Sequence, residues 1–262
     1  MKRLTAITVL IVSCIFCFSA SSSGQDAREV SKNSADIIAL SSMEMVTTLK
    51  IYDQKGNVRT RKVSIASKKF GEVTKMIMRF IDPADVRGTA MLVYDYEGKS
   101  DDMWIYMPAL KKSRRIVSNE KGKNFMGSEF TNADMSKPNL DDFNYKLLST
   151  ETLNGKNCFK IEATPKTKEL EGENGFSKKI SYIDKGNYLC YKIEFYDLSG
   201  KLSKTQSISD YKPVSGGKFF YYLMEMNNEQ TGRKSVLTTD AFQAGSNLSE
   251  SLFSPANLEK QQ

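Results

Sequence analysis

The chain has 262 residues, a formal charge of +7 at pH 7 and 40% apolar residues, enough to bury a sizeable core within one all-β domain. Histidine is absent, which excludes a Ser-His-Asp triad, a Cys-His pair and any histidine-bound metal. The basic residues are scattered rather than clustered into a nucleic-acid footprint, so the expected partner is a membrane surface or an anionic lipid, not nucleic acid.

Residues 1–24 read as a signal peptide and residues 25–262 as a single domain. Lys2 and Arg3 open the leader. Leu4 to Phe18 is an apolar run too short to span a bilayer comfortably, and the small residues up to Gly24 suit cleavage. The expectation is an exported, periplasmic protein. Ile11-Val12-Ser13-Cys14 also resembles a lipobox, which would anchor the protein through an acylated Cys14; against this, Ile15, Phe16 and Phe18 extend the apolar run past that cysteine.

Asp26 to Leu40 carries an approximate helical face through Val30, Ala35, Ile37, Ile38 and Leu40. Beyond it the period changes to two. Met43, Met45, Leu49 and Ile51 share one phase, Glu44, Thr48 and Lys50 the other, and Lys55-Gly56-Asn57 is placed to turn the chain into Val58–Ala66. "KMIMRFIDP", "GTAMLVYDY" and "DDMWIYM" continue as strands, and Lys112–Ser118 reads as another. The pattern lapses from Asn119 to Leu140, a glycine- and asparagine-rich stretch with a short helix expected near Asn132–Met135; long segments of this kind often act as lids or binding loops. Strands resume in "FNYKLLSTETLNGKNCFKIEATP", "KKISYID", "YLCYKIEFYDLSGKLSKTQSISDY" and "KFFYYLMEMNNEQTGRKSVLTTDAFQ", with a helix expected in the C-terminal "LFSPANLEK". The fold class is mainly β with a few helices (α+β): about eleven antiparallel strands forming an incomplete barrel or strongly curved sheet.

Beyond the leader only Cys158 and Cys190 remain. Each alternates with lysine and glutamate, so both are expected on the polar faces of their strands. In a meander they stand two strands apart, about 9.5 Å, beyond disulfide reach; a different strand order would permit a bridge. Catalysis has little to rest on. The pairs Asp101/Asp102 and Asp141/Asp142 lie in turns, and the chain has no phosphate loop, metal spacing or nucleophile elbow. No cofactor is expected. A carboxylate enzyme acting on envelope polymers, through Glu129 or Asp134, is the alternative to a protein without catalysis.

"FIDPADVRGTAML", "DDMWIYMPALKKSRRI", "NFMGSEFTNADM" and "CYKIEFYDLSGKLSK" stand in that order. Together they resemble the outer-membrane lipoprotein-sorting family, the LolA-like proteins, and more narrowly its larger, uncharacterised treponemal-type branch. The resemblance runs from about Ser42 to the C-terminus. It implies a half-open β-barrel lidded by helices that binds acyl chains of lipids or lipoproteins and helps move them toward the outer membrane. An inner-membrane exporter and an outer-membrane acceptor would be its partners, with the protein itself a monomer. The alternative is a non-catalytic periplasmic module that partners a membrane exporter.

On this picture Met76, Met78, Phe80 and Met91 line the acyl site. So do Met103, Trp104 and Tyr106, then Met126 and Phe130, and finally Phe220 and Met224. Flexible, polarisable methionines suit ligands of variable shape; ordinary core packing is the competing reading for each. Arg87, Lys111, Lys112, Arg114 and Arg115 form the expected rim for a head group or membrane. A solvated edge is the competing reading for the cluster, and an ion pair with Asp82 or Asp85 for Arg87.

Overall fold

The structure is a computed structural model and describes residues 23–260. Residues 1–22 of the expected leader, Cys14 among them, lie outside the described residues. α1 (Ser23–Ile37) precedes a single sheet of thirteen antiparallel strands rather than about eleven. They are β1 (Ser42–Tyr52), β2 (Val58–Phe70), β3 (Val73–Asp82), β4 (Ala90–Tyr96), β5 (Asp102–Met107), β6 (Lys112–Ile116) and β7 (Phe143–Leu153) in the first part of the chain. The second part supplies β8 (Lys156–Pro165), β9 (Lys178–Asp184), β10 (Cys190–Tyr196), β11 (Leu202–Val214), β12 (Lys218–Asn228) and β13 (Lys234–Ala244). The short helices α2 (Ser118–Lys121), α3 (Lys168–Asn174) and α4 (Pro255–Leu258) sit between or after them.

The spatial order is β6-β5-β4-β3-β2-β1-β13-β12-β11-β10-β9-β8-β7. Two meanders meet where β1 pairs with β13, with Leu49 opposite Leu237. The free edges are β6 and β7, which are consecutive strands in the sequence. The 117–142 connection therefore has to run from one edge of the sheet to the other. So many strands cannot stay flat, because each is twisted against its neighbour and an open sheet of this width curls. Five strand pairings carry a register shift, at Val46/Thr47, Lys62/Val63, Leu147/Ser149, Cys190/Lys192 and Phe195/Tyr196. Each such bulge adds local bend.

Period two then sorts the side chains. Met45, Val63, Ile65, Met78, Phe80, Met91, Val93 and Met103 pack together on the concave face with Phe125. Leu49, Ile51, Ala163, Phe195 and Met226 extend that face on the other side, with Phe130 and Phe176. α1 lies against the β7–β9 end, where Ala27 and Val30 meet Ile161 and Ile183. On the convex face Ile77, Ala90, Leu92, Trp104 and Tyr106 are covered by the C-terminal segment through Phe253 and Leu258. Tyr94 donates to the Phe253 carbonyl at 2.6 Å, and the Arg79 guanidinium donates to the carbonyls of Asn257 and Leu258 at 2.8 and 3.2 Å. Strands β3 to β5 are thus buried on both faces, which explains their near-continuous apolar runs.

The two cysteines are free, as the meander predicts. The expectation of polar faces fails for Cys190 but not, in phase, for Cys158. Cys158 faces the same way as Lys160 and Glu162, but it meets Ile180 and Tyr182 there and is fully buried. Cys190 packs toward the α1 cluster because of a bulge: it pairs with Ile183 but Lys192 pairs with Tyr182, so alternation breaks between them. α3 has no counterpart among the sequence-based expectations. Its signals are Thr167, whose hydroxyl accepts the Leu170 N–H at 3.2 Å, and Gly175, whose positive φ of 77° ends the helix. Gly175 also abuts Gly122 after α2. A Cβ at Gly122 would stand 2.7 Å from the Gly172 carbonyl oxygen, so backbone contact holds α2 against α3.

Candidate functional site

The segment from Val117 to Asp142 crosses the open side as a strap. Asn124 bridges Thr131, the Phe125 N–H donates to the Phe130 carbonyl at 2.7 Å, and Met126 and Gly127 turn the chain with φ of 48° and 75°. This hairpin tongue inserts Phe125 into one concave cluster and Phe130 into the other. A 3-10 turn, Ala133–Met135, follows and matches the short helix expected there.

Polar groups fix the tongue to the sheet. Glu129 is 1% exposed, with Arg233 Nε 2.8 Å from Oε1 and the Asn228 side-chain amide donating to Oε2 at 2.7 Å. The Arg233 N–H is not aimed at the carboxylate, so charge rather than a well-aligned hydrogen bond holds that contact. The Glu129 N–H donates to Ser235 Oγ, Lys204 Nζ donates to the Glu129 carbonyl, and Arg233 donates to the Gly127 carbonyl. Arg61 donates to the Met126 carbonyl. Further along, the Lys137 N–H donates to Asp95 Oδ2 at 3.0 Å and the Lys137 ammonium lies 3.7 Å from Asp36 on α1. Burial pushes the Asp95 carboxyl up to about 6; Asp101 adds to this and the Lys137 N–H opposes it.

Beneath the strap remains a hollow of about 270 Å³. Leu49, Val63, Ile65, Met78 and Leu237 wall one side, and Ile193, Phe195, Ile208 and Met224 the other. Ile38, Phe125, Phe130, Met135, Pro138 and Phe176 close it over. Its polar members are Thr47, Asp134, Ser136, Asn174, Lys179, Gln206 and the hydroxyl-bearing Tyr221. Lys179 stands 5.2 and 5.8 Å from the ring centroids of Phe143 and Phe176. Burial draws its ammonium below the usual lysine value, against the opposing influence of Asp134 and Cys190.

Of the residues assigned to the acyl site from sequence, Met78, Phe130 and Met224 border this hollow. Phe80, Met91 and Met103 lie on the same concave face but are packed into its core, away from the space; Met76 and Met126 pack against that cluster. Phe220 stacks on Phe242 at 4.2 Å between ring centroids. Trp104 and Tyr106 are on the convex face, because they alternate with Met103 and Ile105 along β5. The walls from β1, β2 and β13 and the residue Lys179 have no place in the sequence-based assignment. Period-two alternation marks Leu49, Val63 and Ile65 as inward; it carries no sign of which inward residues face space rather than neighbours.

None of Arg87, Lys111, Lys112, Arg114 or Arg115 borders the hollow. Arg87 and Lys111 lie at the end of the strands where Gly88 abuts Pro108, whereas Ser136 and Pro138 follow Lys137 to the opposite end of β4, at Asp95. Arg87 donates to the Ile81 carbonyl and lies 3.7 Å from Asp82. Arg114 pairs with Glu120 at 2.6 Å and Arg115 with Asp102. Lys112 to Arg115 make β6 a charged edge strand, a composition that discourages pairing with another sheet. Among the described residues no group of three or more carboxylates and thiols is placed to hold a metal ion, and no helix is long and apolar enough to cross a membrane.

Residues 72–260 match a protein family described as an uncharacterized protein. Three solved structures are similar along nearly their whole length. A protein domain from Vibrio parahaemolyticus named for outer membrane lipoprotein sorting is 29% identical, with a TM-score of 0.84 over 90% of this chain and 100% of that one. A DUF1329 family protein from Desulfovibrio piger is 26% identical, with a TM-score of 0.83 over 90% and 98%. A LolA superfamily protein from Nitrosomonas europaea, 20% identical with a TM-score of 0.69 over 88% and 98%, shares the fold. No curated protein matches the chain.

Proposed function

Because the chain belongs to the outer-membrane lipoprotein-sorting (LolA-like) family, we propose that its hollow binds an acyl chain and that the protein is a periplasmic carrier without catalysis. The observation that carries this reading is the hollow itself. It is apolar on nearly every wall and covered by a strap rather than filled by the sheet's own side chains. A dry cavity of about 150 Å³ admits a benzene-sized molecule. By that scale 270 Å³ takes about ten carbon atoms. Burying ten methylenes contributes roughly 8 kcal/mol before the costs of association. A longer chain, or the several chains of a lipoprotein, requires the tongue to lift from Phe80 and from the Phe176 side. Transfer between an inner-membrane donor and an outer-membrane acceptor is the family role assigned here, with cargo that is lipid or lipoprotein.

Glu129 and Asp134, the carboxylates of the enzyme alternative, are engaged otherwise. Glu129 pins the tongue, and Asp134 accepts the Thr131 N–H at 2.7 Å while its own N–H donates back to the Thr131 hydroxyl. The test is native mass spectrometry of protein purified without detergent, followed by uptake of a labelled fatty ligand by the delipidated sample. Co-purified lipid and saturable uptake are expected. An empty protein that takes up no acyl ligand overturns the carrier and favours a module that docks on an exporter.

A further inference from the structure

The hollow is apolar, yet one wall residue is out of keeping with a plain hydrocarbon site. Lys179 stands near the start of β9, opposite Ala163 on β8 and Phe195 on β10, both on the concave face. Its phase along the strand turns it inward, and it lines the hollow. Aromatic rings flank it, Phe143 and Phe176, at cation–π distance. Among the described residues no carboxylate oxygen lies within 4.0 Å of its ammonium and no hydrogen bond is made to it. Two other inward lysines are partnered: Lys204 donates to the Glu129 carbonyl at 2.6 Å, and Lys121 donates to the Ser100 hydroxyl at 2.8 Å.

Two neighbours bear on Lys179. Asp134 faces the same hollow, but its carboxylate is committed to the Thr131 N–H and the residue is exposed. Cys190 is a thiol that burial pushes up to about 12, so it is neutral. Two strands from Lys179, Gln206 borders the hollow too, and its amide donates only to the Met224 sulfur at 3.3 Å, a weak acceptor. An ammonium held in an apolar wall without a partner destabilises the empty protein unless something else uses it.

The geometry points to a single-chain amphiphile with an anionic head as the occupant, its tail against Leu49, Ile65 and Leu237 and its head on Lys179. This rests on the acyl-binding reading and narrows it to ligand class. The volume agrees, since about ten carbons and a small head leave no room for a second tail. The rings of Phe143 and Phe176 hold the ammonium in place, so its charge is already oriented when the anion arrives.

The experiment uses delipidated full-length mature protein and three probes of one tail length that fits the hollow: decanoate, decyl phosphate and 1-decanol. Calorimetric titration compares the wild type with Lys179→Met and Lys179→Arg. The expected result is that one or both anions bind the wild type at least tenfold more tightly than the alcohol. Lys179→Met abolishes that preference, and Lys179→Arg retains it. Decanoate and decyl phosphate, compared with each other, separate a carboxylate head from a phosphate head. Circular dichroism and urea unfolding check the fold; Lys179→Met is expected to be at least as stable as the wild type. Equal binding of anions and alcohol, or a preference that survives Lys179→Met, overturns the head-group assignment and leaves the carrier reading standing. Failure of all three probes overturns both.

Discussion

Removing the Glu129 carboxylate isolates what the strap contributes. In Glu129→Ala the tongue loses the 2.8 Å contact with Arg233 and the 2.7 Å hydrogen bond from Asn228. Its backbone bonds to Ser235 and Lys204 survive. Breaking a fully buried ion pair costs about 3–5 kcal/mol, mostly because the remaining charge is stranded. The Arg233 side chain is 33% exposed, so water relieves part of that penalty and about 2 kcal/mol is the better figure. The orphaned Asn228 donor adds about 1 kcal/mol. The expected total is about 3 kcal/mol, read as a fall in urea midpoint of about 1 M for a chain of this size. Arg233→Ala combined with Glu129→Ala should be less damaging than the two single losses summed, by about 1–2 kcal/mol, because no stranded charge remains. The tongue carries Phe125 and Phe130 into the two concave clusters, so ligand exchange should speed up in Glu129→Ala, measured by displacement of a bound fluorescent fatty acid. A midpoint within 0.3 M of wild type, or strict additivity of the pair, would refute the view that this carboxylate anchors the lid.

Leu237→Phe adds volume to the wall opposite Leu49; calorimetry should find acyl binding weakened tenfold or more, with the urea midpoint unchanged or raised. Asp95→Asn should stabilise the protein at pH 7. Burial raises the folded-state value to about 6, so the native state holds this proton more tightly than the unfolded chain, whose value is about 4. Wild-type stability contributed by this group therefore falls as pH rises from about 4 to 6. The gain from Asp95→Asn should reach at most about 3 kcal/mol above pH 6 and vanish below pH 4, seen by unfolding at several pH values. Cys158 and Cys190 are free, and burial raises both thiols. A thiol reagent should therefore find neither in the native mature protein at pH 8 and both in guanidinium; rapid native labelling would contradict the packing described.

The sheet was legible because alternation is a local signal. Met43 to Ile51 and Met76 to Phe80 state their inward phase residue by residue, and Gly56, Gly98, Gly155 and Gly200 mark turns. Three things were not legible, each for a physical reason. A bulge between Cys190 and Lys192 reverses phase without any change in residue type. Burial on both faces of β5 makes Trp104 and Met103 look alike, although they enter different cores. The hollow is bounded by Leu49 and Leu237, 188 positions apart and neighbours through the β1–β13 pairing; no local pattern joins them. Methionine content pointed to the right face of the sheet, since Met78 and Met224 border the hollow. It could not separate these from Met91 and Met103, which fill the core beside it. α3 was missed because its seven residues, "KELEGEN", have no apolar stripe to announce a helix.

The connection from β6 to β7 is attached to the sheet at both of its margins. A door hung on one side swings clear of its frame, but a bucket handle can only rise and fall. Whatever reaches the interior must pass under the handle from one flank or the other, and cannot descend through a fully parted front. Severing the backbone near Lys137 would turn the handle into two loose doors, and the same thirteen strands would then guard nothing.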